Sequence, residues 1–320
     1  MGAPTLDAVA LCEAMVKRAR ERKMFKAVEP PAIVEEQKQL SVPLQSVPFQ
    51  WGEGVRGTPN ILIRGALFGV VKSGERRLLQ QEEIFCAGGY SIFFTGEQLD
   101  QGDLDIWQLA AHLCQGHLGE FVLTSRKKML RALGRSGGRG NKLWLMRGLD
   151  RMVSGSAKLI EMRAGIKNEP RQFNDNLLGY AVDGDHLSLR VSREWATFFL
   201  SDAFTLIDWE RRLSLPARAQ LARWLHDFYS SHETPFPYKV QTLRQMCGSR
   251  TSDLHRFREG LKEALGLVKE VGLLSDWAID HRDLVKVEKN NSVSQNRSRL
   301  RKIVGGRAGR LGGRAGGKKG

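Results

Sequence analysis

The chain has 320 residues, 41% of them hydrophobic and 27% charged, and a formal net charge of +15. That is enough apolar material for a sizeable core, so neither disulfides nor a structural metal is needed to hold it together. Its four cysteines, Cys12, Cys86, Cys114 and Cys247, lie far apart with no Cys-x-x-Cys pair, which argues against a zinc finger and a disulfide scaffold and suits a reducing cytoplasm.

Residues 5–26 read as an amphipathic basic helix. Leu6, Val9, Met15 and Val16 mix with Lys17, Arg18, Arg20, Arg22 and Lys23. Such a helix is either a solvated surface element or a contact for DNA, a membrane or another subunit. Residues 27–55 carry prolines at 30, 31, 43 and 48 with little periodicity, the pattern of a flexible connector. From Asn60 to Val71 an apolar segment is expected as strand or helix. Glu83–Ala87 and Tyr90–Thr95 read as strands. A helix follows over about 101–115, with Ile106, Leu109, Ala110 and Leu113 as its core stripe and Trp107 off it. Glu120–Leu123 is extended, Ser125–Leu133 a short helix capped by Thr124, and Arg135–Gly140 a basic, glycine-rich turn. Asn141–Met152 is a second helix facing inward with Leu145, Leu149 and Met152. Lys158–Met162 and His186–Val191 are expected as its strand pair.

The order then begins again. Ser192–Leu200 and Leu206–Leu213 are expected as bridging helices, and a longer helix runs from about Pro216 to Ser230. Val240–Cys247 is a short helix stopped by Gly248, and Ser249–Thr251 turns. A long helix follows to about Glu270, with Leu254, Phe257, Leu261, Leu265 and Val268 at three- and four-residue spacing. Leu273–Ile279 and Leu284–Val287 form a hairpin. The last stretch, 286–320, holds eleven Lys or Arg and one Glu, so +10 of the net charge sits in a Gly-rich tail.

Leu130-Arg-Ala-Leu-Gly134 aligns with Leu243-Arg-Gln-Met-Cys-Gly248 if one residue is inserted, and Leu145 and Leu149 match Phe257 and Leu261. Each half presents a short helix, a basic turn, a longer helix and a hairpin, a duplicated winged-helix module. The fold expected is therefore α+β and mainly helical, with two tandem winged-helix domains over 56–200 and 201–288. The helix at 1–26 and the connector at 27–55 precede them, and a disordered Gly/Arg/Lys-rich tail at 289–320 follows. In such a module the helix after the turn enters the major groove by its amino end. The DNA-binding candidates are Arg139, Asn141, Lys142, Arg147 and Arg151 in the first unit. In the second they are Arg250, Thr251, Ser252, His255, Arg256 and Arg258. Asn and Arg suit base edges, while Thr, Ser and Lys suit phosphates. A solvated helix face carries the same residue types.

Several segments resemble the TrfA family of plasmid replication initiator proteins. They are Val55-Arg-Gly-Thr-Pro-Asn60, Arg64-Gly-Ala-Leu-Phe68, Phe94-Thr-Gly-Glu-Gln-Leu99 and Asp105-Ile-Trp-Gln108. Arg212-Leu-Ser-Leu-Pro-Ala-Arg218, Ser230-Ser-His-Glu-Thr-Pro-Phe-Pro237 and Leu243-Arg-Gln-Met-Cys-Gly-Ser249 are the most specific. The resemblance covers about residues 50–288. It implies two winged-helix domains on double-stranded origin repeats, opening of adjacent AT-rich DNA, and recruitment of the host replicative helicase with the host initiator machinery. It also implies monomers on the repeats and an inactive dimer that restrains copy number. The family's recognition positions fall on Arg250–Arg258 and on Arg139–Arg151. The spacing over 163–186 and the basic tail depart from the family. Gln39-Leu-Ser-Val-Pro43, with Leu44 after it, also resembles the peptide that docks on bacterial sliding clamps, making Gln39, Leu40 and Leu44 candidates for that contact.

No Walker-type phosphate loop, metal-binding His pair or nickase His-hydrophobe-His motif is present, so no enzyme activity, cofactor or metal is expected. No apolar run is long enough for a membrane span and no signal peptide is expected, which leaves a cytoplasmic protein with no membrane partner. The competing function is a double-winged-helix transcriptional regulator without initiator activity.

Overall fold

The computed structural model describes residues 50–72, 74–161, 172–200 and 203–290. The expected basic helix at 5–26, most of the connector, Gln39, Leu40 and Leu44, and the tail beyond 290 lie outside the described residues.

In chain order, β1 (Val55–Pro59), α1 (Asn60–Ile63), β2 (Phe68–Gly69), β3 (Leu78–Ile84), β4 (Tyr90–Glu97) and β5 (Leu99–Asp100) lead into α2 (Gln101–Leu113). Then come β6 (Val122–Ser125), α3 (Arg126–Ala132), α4 (Arg139–Ser154), β7 (Ser156–Glu161), β8 (Gln172–Asp175), β9 (Leu178–Asp183) and β10 (His186–Val191). A short α5 (Arg193–Ala196) and a 3-10 turn at Thr197–Leu200 precede β11 (Phe204–Asp208) and α6 (Trp209–Ser214). The remainder is α7 (Gln220–Ser230), β12 (Tyr238–Lys239), α8 (Val240–Met246), α9 (Leu254–Glu270), β13 (Leu274–Ile279) and β14 (Leu284–Lys289). Helices and strands are thus mixed, with more strand than a mainly helical chain would have. No helix among the described residues is long and apolar enough to cross a membrane.

Among the described residues two apolar cores form. The first runs from Trp51 to Trp209 and packs Ile92, Phe94, Trp107, Leu145, Leu149, Leu189 and Trp195. The second runs from Leu215 to Val285 around Trp224, Phe228, Leu243, Phe257, Leu261 and Leu265. Trp107, which the helical stripe leaves out, is fully buried and donates Nε1–H to the Leu177 carbonyl at 3.3 Å. Trp51 is also buried, its amide donating to Gln115 Oε1 at 3.0 Å, so the last few residues of the expected connector belong to the first core.

The two cores support the same local unit. In the first, β6 leads through α3 and α4, and β9 and β10 close a sheet ordered β6-β10-β9. In the second, β12 leads through α8 and α9, and the sheet is ordered β12-β14-β13. The link between the paired helices also repeats. Gly134 and Gly248 stand at φ +68° and +67°. Arg135 N donates to Leu130 O at 2.8 Å and Ser249 N to Arg244 O at 3.1 Å, the same C-terminal cap built twice. Gly134 therefore matches Gly248 and Leu130 matches Arg244, and the inserted residue of the sequence alignment is not needed.

Four expectations change. First, of the strand expected over Lys158–Met162, the described part, Lys158–Glu161, does not pair with His186–Val191. β7 lies between β4 and β8, with Leu159 opposite Ile92 and Ala157 opposite Phe94, while β10 pairs with β9 and β6. The apolar face of β4 takes β7 into a separate four-stranded sheet. Second, the helix expected over Leu206–Leu213 starts only at Trp209. Phe204–Asp208 pairs antiparallel with β1, which a local pattern cannot reveal. Third, Pro216 does not open α7. Arg223 Nε and Nη2 donate to the carbonyls of Pro216 and Leu215, at 3.2 and 2.7 Å, and α7 begins at Gln220. Fourth, α3 is capped by Ser125, whose hydroxyl accepts from Lys128 N at 3.2 Å, while Thr124 is buried in β6.

Candidate nucleic-acid interface

The site is built from the amino ends of α4 and α9, each set by the turn before it. In the first unit Arg135 lies over the Trp144 ring at 3.7 Å and donates from Nη1 to Asn141 Oδ1 at 3.3 Å. Asn141 Nδ2 donates back to Ser136 O and Oγ, both at 3.0 Å. These bonds close the glycine-rich turn on itself and leave Arg139, Lys142 and Arg147 exposed on the outer face of α4. In the second unit Arg244 of α8 donates to Thr251 O and Ser252 O, at 3.1 and 2.9 Å. Asp253 caps α9 by accepting from His255 N at 2.8 Å. Phe257, Leu261, Ala264, Leu265 and Val268 face the core, so His255 and Arg256 stand outward in the first turn, with Arg250 and Ser252 exposed beside them.

Cationic and half-positive groups coincide at both helix ends. The first-turn N–H groups of α4 have no side-chain cap and favour an anion, whereas the exposed Asp253 carboxylate already occupies that place on α9; each end is joined by two or three exposed Arg, Lys or His side chains. Farther along both helices the outer face turns acidic, with Asp150 on α4 and Glu259 and Glu263 on α9 all exposed. From the amino end, the exposed cations therefore reach as far as Arg147 on α4, but on α9 they stop at Arg256 in the first turn before Glu259 follows.

The sequence candidates divide accordingly. Arg139, Lys142, Arg147, Arg250, Ser252, His255 and Arg256 are exposed, and Thr251 is half-buried beside them. Asn141 is committed to the turn, and its side chain orders the helix start instead of standing free. Arg258 is drawn to the hairpin, pairing with Asp283 and donating to Asp280 O at 3.3 Å. Arg151 is a correction. It is buried, donating from Nη2 and Nε to Asp103 Oδ1 and Oδ2 at 2.6 and 3.2 Å, with Glu97 3.8 Å from Nη1. It clamps α4 to α2 and is almost wholly withdrawn from solvent.

The structure adds residues that spacing alone does not single out. Lys127, Lys128 and Arg131 are exposed on α3, and His281, Arg282 and Lys286 on the β13–β14 hairpin. Asp280 orders that hairpin turn, Oδ1 accepting from Arg282 N and Leu284 N at 2.9 and 3.0 Å. Accepting them holds its carboxyl below the usual range, with Lys286 adding to the effect. The β9–β10 hairpin is different. Its tip is Asp183-Gly184-Asp185, to which Arg126 donates at Gly184 O (2.8 Å) and Asp185 (3.3 Å). An acidic tip is ill suited to phosphates, a basic one well suited.

A family model described as TrfA protein matches residues 16–289. The chain belongs to the TrfA family. Among the relatives of this TrfA-family chain is the plasmid replication initiator protein TrfA of Escherichia coli, 26% identical over 254 residues, covering 75% of this chain. This chain spans 63% of that relative's length. A crystal structure of domains 2 and 3 of RctB aligns with a TM-score of 0.50 at 14% identity, covering 73% of this chain and 99% of that one, which shows a shared fold.

Proposed function

We propose that this TrfA-family chain is a plasmid replication initiator whose two repeated units are winged-helix domains, over 56–200 and 201–288, that grip duplex origin repeats. One observation carries the reading. The same cap, turn and cationic helix start occur twice in a chain whose family relative is a plasmid replication initiator. In the proposed mechanism α4 and α9 enter successive major-groove segments by their amino ends. Arg256 and Arg139 face base edges, while Lys142, Arg250 and Ser252 hold phosphates. The β13–β14 hairpin, with Arg282 and Lys286, lies along the flanking backbone. Gripping the repeats strains the neighbouring AT-rich duplex, and the host helicase is recruited there. The chain acts by binding, in the cytoplasm and without a catalytic step of its own. Sliding-clamp docking through Gln39, Leu40 and Leu44 and an inactive dimer belong to the same proposal.

The test is footprinting of the purified protein on its own plasmid's origin. The expected result is protection of directly repeated elements, spaced by about one or two helical turns beside an AT-rich stretch. Protection of a single promoter-proximal site, with no effect on replication of a plasmid carrying that region, would instead identify a transcriptional regulator.

A further inference from the structure

Between the two cores lies a set of charges from which water is excluded. Arg212 of α6, fully buried, sits at its centre. Its Nε donates to Asp105 Oδ1 at 2.9 Å, and its Nη1 donates to Arg223 O at 2.6 Å and lies 3.1 Å from Asp227 Oδ1. Its Nη2 donates to Gln101 O and Oε1 at 3.1 and 3.0 Å and lies 2.8 Å from Asp105 Oδ1. Arg223 pairs with the other Asp105 oxygen, and Gln108 Nε2 donates to Asp227 Oδ2 at 2.7 Å and to Thr58 Oγ1 at 3.1 Å. Gln101, Asp105 and Gln108 form one polar stripe on α2 of the first unit. Gln220, Arg223 and Asp227 form the facing stripe on α7 of the second. Gln220 Oε1 also accepts from Gln101 N at 3.0 Å.

We propose that this network is a spacing gauge: it holds the two reading units in one relative orientation and so sets the base-pair separation between the DNA segments they contact. The proposal rests on the reading of both units as duplex binders. Two apolar surfaces of similar volume repack and tolerate a slip, but directional bonds between buried charges do not. Sliding or rotating α7 on α2 leaves Asp105, Asp227 or a guanidinium buried without its partner, and that cost selects one arrangement. Arg212, Asp105, Arg223 and Asp227 are all buried and none lies on α4 or α9, so their influence on DNA acts only through the placement of those helices. Their charges cancel, two cations against two anions, so loosening the network leaves the long-range attraction to DNA in place.

The experiment uses the full chain and a fragment of its own plasmid's origin containing one footprinted repeat. Derivatives carry one, two or three base pairs inserted at the centre of the footprint. Wild type is expected to prefer the natural spacing over the two-base-pair insertion by about tenfold or more. Arg212→Lys and Asp105→Asn, with cooperative unfolding retained, are expected to reduce that ratio to below about threefold while still choosing the repeat over scrambled duplex. Variants that keep the wild-type ratio overturn the proposal. So does a wild type that is indifferent to spacing yet still selects the repeat, and the reading as an origin binder then survives. A wild type that does not distinguish the repeat from scrambled duplex overturns that reading and the gauge with it. Should both variants fail to fold, spin labels at Ser154→Cys and Ser275→Cys in a Cys12→Ser, Cys86→Ser background decide the matter. One narrow distance distribution, the same with and without DNA, supports the gauge, and a broad or DNA-shifted one overturns it.

Discussion

At the scale of single residues, Arg147 and Arg151 show what a sequence pattern conveys and what it leaves out. They stand one turn apart on α4, and spacing gives them the same exposed role. What separates them is Gly148. A Cβ there would meet Ile106 Cδ1 at 2.4 Å and Asp103 Oδ1 at 3.1 Å, so any larger residue would displace those α2 side chains. The approach delivers the Asp103 carboxylate to Arg151 and leaves Arg147 in water. Asp103 also completes the capping box of α2, accepting from Asp100 N at 3.1 Å, and takes Arg76 Nη1 at 2.9 Å. The variants should behave differently. Arg147→Ala should fold normally and reduce the salt dependence of DNA binding by about one unit of slope. Arg151→Ala should cost about 3 kcal/mol of stability, because half of a buried pair is lost and Arg76 holds the remainder. Urea unfolding and salt-dependent gel shifts on both proteins separate the two roles. A destabilised Arg147→Ala with an unchanged salt slope would reverse the assignment.

Among elements, those with strong internal periodicity were legible. The stripe of α9 and the capping glycines at 134 and 248 identify the helix–turn–helix without tertiary information. Strands chosen by a distant partner were not. Gln172–Asp175, polar apart from Phe173, becomes β8 by pairing with β7, and Phe204–Asp208 finds β1 about 150 residues earlier in the chain. The division of the candidate residues had the same cause, since exposure at Arg151 and Arg258 is decided by other elements. The two turn glycines allow a direct comparison. Both have positive φ, so alanine at either costs about 1–2 kcal/mol in backbone strain. A Cβ at 134 meets nothing within 4 Å, whereas one at 248 would stand 2.9 Å from Ala66 Cβ. Gly248→Ala should therefore be the more destabilising, and should also weaken DNA binding by shifting the start of α9. Equal melting temperatures for the two variants would show that the Ala66 contact yields freely.

For the whole molecule, acid weakens the contributions of His112, His232 and Asp227 in two stages, while Asp103 and Asp175, whose carboxyls burial pushes up, act with the opposite sign. Burial, helped by Arg56, lowers the His112 pKa from 6.5. Burial, with Arg64 and Lys289 nearby, lowers that of His232 as well. An unfolded chain takes up these protons first, so the stability associated with neutral His112 and His232 declines as pH falls below about 6.5. Asp227 follows lower. Burial pushes its carboxyl up, but Arg212, His226 and Gln108 more than offset this and leave it below 3.8. Its contribution is full above the unfolded value and disappears as pH drops through the depressed folded one. Urea midpoints should fall between pH 7 and 5, and His112→Gln with His232→Gln should flatten that first slope. A wild-type midpoint independent of pH across that range would contradict the account.

The central claim is that the amino end of α9 reads bases while the turn before it grips phosphates. Competition titration at fixed salt tests this most directly, with an origin repeat, its single-base variants and a scrambled duplex. Arg256 is exposed in the first turn of α9, off the buried stripe, and Arg250 is exposed in the turn before it. Arg256→Ala should lose about 1–3 kcal/mol against one cognate base pair and keep its affinity for scrambled DNA. Arg250→Ala should weaken binding to every duplex by a similar factor. If Arg256→Ala binds all of these duplexes as wild type does, the second unit docks by another face and the account is wrong.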